Sequence, residues 1–188
     1  MKIIIHDANM LIDLVTSDLL EPWCKLNFRM MTTSLVWHEV NRKGQKPRLR
    51  RVVERGDFSV EPVGAETLAE VVTLQMDLPA GLSLEDASVL FLASREKATL
   101  LTGDGALRRC SSELEIAVHG MLWVLDLLVA RKVMAAGVAA DRLERLQKMG
   151  LSRLPKRSAT NESGSGGCLR GNHGQDQQGV RSRRKALL

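Results

Sequence analysis

Four carboxylates in this 188-residue chain stand at turning points of the sequence, not on ordinary solvent faces. Asp7 ends the β-branched run Ile3-Ile4-Ile5-His6, with Asn9 two residues further on. Glu39 lies in Val36-Trp37-His38-Glu39-Val40, an acid among apolar neighbours. Asp86 stands three residues after Ser83 in Leu82-Ser83-Leu84-Glu85-Asp86. Asp104 follows Leu100-Leu101-Thr102-Gly103 and has glycine on both sides, which lets the backbone turn sharply. Such a set suits phosphodiester hydrolysis, which needs a polarised phosphoryl group, an activated water and a stabilised leaving oxygen. Hard divalent cations about 4 Å apart supply all three, and they prefer carboxylate ligands. Carboxylates gathered at one place raise one another's pKa, so convergence of these four predicts a cation among them. Each residue also has a plainer reading. Asp7 and Asn9 can cap a helix, Ser83 with Asp86 fits a capping box, and Thr102 to Gly105 can be a turn. Caps and turns do not explain why every predicted strand end on one edge carries an acid.

The elements that must position these residues alternate between strand and helix. Lys2–His6 reads as a first strand, followed by Met10, Leu11, Leu14 and Val15 at helical spacing. Met30–Thr33 reads as a second strand, after which Ser34 caps a helix carrying Glu39. Pro47–Glu54 reads as a short basic helix, and Phe58–Val63 as an edge strand or extended link closed by Pro62. Helices are expected over Ala65–Met76 and Leu84–Glu96, strands over Thr99–Thr102 and Ile116–Val118, and helices over Met121–Lys132 and Ala136–Met149. This alternation predicts an α/β fold with a parallel sheet covered on both faces. Right-handed crossovers then bring all strand C-termini to one edge, where ligands of open sheets bind.

At the level of motifs the chain resembles PIN domains, and within them the VapC-like toxins of bacterial toxin–antitoxin pairs. The likeness rests on Ile5-His6-Asp7-Ala8-Asn9-Met10-Leu11, Ser34-Leu35-Val36-Trp37-His38-Glu39-Val40, Leu82-Ser83-Leu84-Glu85-Asp86-Ala87-Ser88-Val89-Leu90 and Leu101-Thr102-Gly103-Asp104-Gly105-Ala106-Leu107-Arg108. These occur in the family's order across roughly residues 2 to 150, and Val118 to Asp126 is similar to the family's last strand-to-helix passage. The resemblance implies a three-layer α/β/α domain, an Mg²⁺- or Mn²⁺-dependent endoribonuclease and an RNA substrate. It makes Asp7, Glu39, Asp86 and Asp104 the metal-holding and catalytic set, with Asn9 and Thr102 positioning substrate or the carboxylates. Asp126 matches a helix position and no ligand. Glu85 would exchange with Asp86 on a one-residue shift, and the Ser83 spacing favours Asp86. An antitoxin that occludes the site and a homodimer are further implications of the resemblance.

Composition bounds the rest. Hydrophobic residues at 44% and charged residues at 26% allow a buried core. Residues 1–152 carry 19 Lys/Arg and 20 Asp/Glu, a net of −1, whereas 153–188 carry 8 and 2, a net of +6. The overall +5 therefore sits in a Gly/Ser-rich tail, expected to be disordered, behind a single nuclease-like domain at 1–152. Within the domain, Arg42, Lys43, Lys46, Arg48, Arg50 and Arg51 form a basic run after the Glu39 helix. That run is expected either to contact RNA phosphates or to be a solvated helix face. Three widely spaced cysteines and no leader-like apolar N-terminus fit a cytoplasmic protein without disulfides, and no apolar run spans a bilayer. Six aromatics and no tyrosine argue against base-stacking platforms of the kind single-strand binding modules use, so Trp37 and Trp123 are expected in the core. The four histidines show no metal spacing. Two rival readings are a PIN-like binding module without catalysis and a haloacid-dehalogenase-type phosphatase. The second wants an acid where Asn9 stands.

Overall fold

A computed structural model of the chain describes residues 2–42 and 46–148; the basic residue Lys43, the side chains of Arg42 and Lys46, and the tail lie outside that description. Among the described residues five strands form one all-parallel sheet in the order β3-β2-β1-β4-β5. They are β1 (Ile3–His6), β2 (Arg29–Thr33), β3 (Ser59–Glu61), β4 (Thr99–Leu101) and β5 (Val118–His119). The helices are α1 (Ala8–Thr16), α2 (Leu20–Cys24), α3 (Ser34–Arg42), α4 (Lys46–Glu54), α5 (Ala65–Asp77), α6 (Leu84–Arg95), α7 (Gly105–Glu113), α8 (Met121–Ala130) and α9 (Ala136–Lys148). They flank the sheet as a three-layer α/β/α sandwich. None of the described helices is long and apolar enough to cross a membrane.

The chain builds outward from β1 through β2 to β3, then returns to add β4 on the other side of β1 and β5 beyond it. The direction of growth therefore reverses between β1 and β4, which opens a crevice past their C-terminal ends. Asp7 follows β1 directly and Asp104 follows β4 within three residues. The central strands are buried on both faces: Ile4, Ile5, Leu100 and Leu101 are fully enclosed. Helix α6 is apolar nearly all round, so it can lie only inside. Ala87 to Ala93 are all buried, and the helix packs on α3, α5, β1, β2 and β4. Its N-terminus, bearing Glu85 and Asp86, emerges beside the crevice.

Two short helices depart from the sequence reading. Helix α2 has only five residues with Pro22 among them, too few for an apolar period to register. Helix α7 begins inside the expected Thr-Gly-Asp-Gly turn, because the Asp104 side chain accepts from Ala106 and Leu107 N–H and starts a helix there. Ser34 does not cap α3. It is the first helical residue, and the Thr33 hydroxyl one place earlier accepts the Val36 N–H, while Ser34 Oγ accepts from Val63 N–H.

Candidate functional site

Past the ends of β1 and β4 lies a cavity of about 300 Å³. Asp7, Asn9, Glu39, Asp86 and Asp104 line it, as does Glu85, so the exchange between Glu85 and Asp86 does not arise: both acids face the same space. Gly81 shapes the rim with φ +100°, a left-handed conformation that a side chain would strain. Its loop delivers Leu82 and Ser83 to the wall.

Three of the acids are fixed by helix N-termini. Asp7 Oδ1 accepts from Met10 N–H at 2.6 Å and starts α1. Asp86 completes a capping box at the start of α6: its Oδ2 accepts from Ser83 N–H at 2.9 Å, and Ser83 Oγ accepts from Asp86 N–H at 3.0 Å. Asp104 caps α7. The plain reading of each as a cap is therefore correct, and the caps also place the carboxylates. Each cap aims an acid at the partial positive end of a helix, which offsets mutual repulsion. Glu39 comes from the middle of α3, half-buried at the cavity wall.

Thr102 links two members of the set. Its hydroxyl donates to Asp7 Oδ2 and accepts the Asp104 N–H at 3.0 Å. The residue is wholly buried, and of the two roles expected for it the contacts show the positioning of carboxylates: Thr102 holds Asp7 and the Asp104 turn. Asn9, in contrast, is exposed at the cavity.

The Asp7 carboxyl is pushed up to about 6, first by burial and further by the charges of Asp86 and Glu39, against the pull of its Thr102 and Met10 hydrogen bonds. Burial, more than like charge, is the larger cause. A second acid escaped sequence reading. Asp13, on α1, is 6% exposed, and its carboxyl is raised to about 7 by burial and by Asp7. Nothing in the sequence marked it, since the helical apolar spacing runs through Met10, Leu11, Leu14 and Val15 and only the packing encloses Asp13.

Other candidates fall outside the cavity. His38 turns to the Ser34 carbonyl. His6 is sealed in the core: Trp23 Nε1 donates to its Nε2, so its Nδ1 carries the proton and donates to the Met31 carbonyl. Burial lowers His6 to about 4, which keeps it neutral. In the basic run, expected either to contact RNA or to be a solvated face, Arg48 is tied into the fold. Its guanidinium binds the Val15 carbonyl, Asp18 and Glu21, leaving Arg50 and Arg51 exposed on α4.

The residues fit a divalent cation in donor chemistry: hard carboxylate oxygens, one of them buried and destabilised by its acidic neighbours. They do not form a ready-made cage. Among the described residues no group of three or more His, Cys, Asp or Glu side chains is arranged to hold a metal ion.

A family model described as a PIN domain matches residues 3–159. Among solved structures, PAE2754 from Pyrobaculum aerophilum is similar at 20% identity and a TM-score of 0.47, covering 71% of this chain and 91% of that one. No curated protein matches.

Proposed function

The chain belongs to the PIN-domain family, whose members are in general nucleases, and from that premise we propose that it is a metal-dependent endoribonuclease that hydrolyses RNA phosphodiester bonds. One observation carries the reading: five carboxylates from α1, α3, α6 and α7 face a single cavity at the reversal point of the sheet. Bound Mg²⁺ or Mn²⁺ would supply a polarised phosphoryl oxygen and an acidified water. Asp7, Glu39, Asp86 and Asp104 would hold the cation, and none need be a covalent nucleophile. Thr102 holds Asp7 at the cavity, and Asn9, which lines it, would orient water or a phosphate oxygen. Arg50 and Arg51 offer charge to the RNA backbone. Within this reading the chain is the toxin of a toxin–antitoxin pair, with an antitoxin protein as partner, self-association as a dimer and a cytoplasmic location. The nuclease domain ends near residue 152, ahead of the basic tail.

The test is cleavage of labelled RNA in Mg²⁺, in Mn²⁺ and in chelator, comparing wild type with Asp7→Asn. An asparagine keeps the oxygen that caps α1 but loses the charge. Cleavage should fall by at least about a hundredfold, while the melting temperature holds or rises. Undiminished cleavage by the variant, or full activity in chelator, would refute the proposal. A non-cutting binding module has one observation in its favour: among the described residues no three His, Cys, Asp or Glu side chains stand ready-arranged around a metal ion. In that case neither metal nor Asp7→Asn would alter RNA integrity.

A further inference from the structure

Next to Thr102, the residue that fixes Asp7 at the cavity, stands an arginine. Arg108, in α7, donates from Nη1 to the Thr102 carbonyl at 3.2 Å. The hydroxyl of that same Thr102 holds Asp7, so guanidinium and buried carboxyl hang from the two ends of one residue. Arg108 is half-buried and makes no salt bridge among the described residues, although Asp104 lies one turn earlier on its helix. A guanidinium carries five N–H donors, and the described residues take up one.

The sheet continues this ledge outward. His6, Leu101 and His119 are register partners across β1, β4 and β5, so His119 and Gly120 extend the edge one strand beyond Thr102. The His119 ring lies flat on Trp123, with centroids 4.1 Å apart and planes 7° apart. Lys2 Nζ stands 5.2 Å from the Trp123 centroid. His119 and Trp123 are half-buried and Lys2 is exposed. Burial, then the charges of Lys2 and Arg108, lowers the pKa of His119, so the ring is neutral near pH 7. Two strand spacings, about 10 Å, separate the ends of β1 and β5. Trp123 itself packs on Trp23 and Phe28 and under Lys2, so it backs the His119 ring, and it is His119, at the end of β5, that one chain of linked nucleotides can reach from the cavity.

We propose that this ledge binds the RNA strand next to the cutting cavity, with Arg108 on a backbone phosphate and the His119–Trp123 stack under one nucleobase. The inference rests on the ribonuclease reading and adds the direction in which substrate lies. An acidic cavity repels a polyanion, so a neighbouring cation and a flat neutral ring offset that repulsion where the strand must run.

The test is binding of a short fluorescein-labelled single-stranded RNA of mixed sequence, in chelator, across a salt series. Arg108→Gln should weaken binding about tenfold and flatten the log–log salt slope by about 0.7, the loss of one phosphate contact. Gly120→Ala is the second variant. Its backbone is extended at φ −132° and its Cβ would only touch Arg108 Nη1 at 3.4 Å and the Thr102 carbonyl at 3.5 Å, so it should melt and bind as wild type and serves as the control for the edge. His119→Ala should weaken binding with the salt slope unchanged. Wild-type affinity in natively melting Arg108→Gln and His119→Ala would overturn the ledge. That result leaves the ribonuclease reading standing if wild type cuts RNA in metal. Wild type that binds RNA through Arg108 but never cuts it would sink the nuclease reading and keep the ledge.

Discussion

At the residue scale the site is a contest between burial and charge. Asp7 and Asp13 both have folded-state pKa values above the ordinary 3.8, at about 6 and about 7. The folded chain therefore binds their protons more tightly than the unfolded chain does. Their cost to stability is absent below about pH 4, grows as pH rises through the folded pKa values and is full above about pH 7. Asp13→Asn removes part of that cost. Its melting temperature should exceed wild type at pH 8, by a free energy on the order of 1–3 kcal/mol, and match it near pH 4. An equal shift at both pH values would show that Asp13 is not the titrating group. Asp7 and Glu39 were legible as chemistry because an acid beside Ile5 or Val40 is out of place on a solvent face. Asp13 was not, since Ile12-Asp13-Leu14 reads as an ordinary amphipathic turn until the packing encloses it.

At the element scale, helix starts carry the geometry. α1, α6 and α7 each begin at the cavity with an acid whose backbone bonds fix its direction. Ser83→Ala breaks the capping box from the serine side. It should cost about 1 kcal/mol of stability, read in urea unfolding, and should also slow cleavage, because the Asp86 turn is no longer pinned. Lost stability with cleavage unchanged would mean that the box serves only the helix. The long elements were readable from periodicity. The short ones were not: α2 is held by packing, with Trp23 fully buried, and α7 is set by one cap in a glycine-rich turn. β5 lies two residues later than its apolar run suggested, because pairing with Leu100 and Leu101 aligns Val118 and His119 and leaves Ile116 in the core ahead of the strand.

At the scale of the whole molecule, the two kinds of charge have separate duties. Acids line the cavity, while a cluster of Arg48 on α4, Arg142 on α9, Asp18 and Glu21 clamps distant parts of the chain. Arg48→Met should lower stability by about 1 kcal/mol and leave RNA affinity unchanged; a weakened RNA complex in a natively melting variant would return Arg48 to the substrate path. A parallel sheet covered on both faces followed from the alternation of elements; the strand order, and with it the switch point between β1 and β4, did not. The convergence of acids could only be anticipated, since it depends on the β1–β4 neighbourhood that places Asp7 beside Thr102 and Asp104.

The central claim is that these carboxylates together hold a divalent cation that the separate caps do not require. Calorimetric titration of Mn²⁺ into the wild-type chain and into a Glu39→Gln, Asp86→Asn double variant tests it most directly. Saturable binding by the wild type, weakened at least about tenfold in the variant, is the result expected. Binding that is undetectable in the wild type, or equal in both, would contradict it.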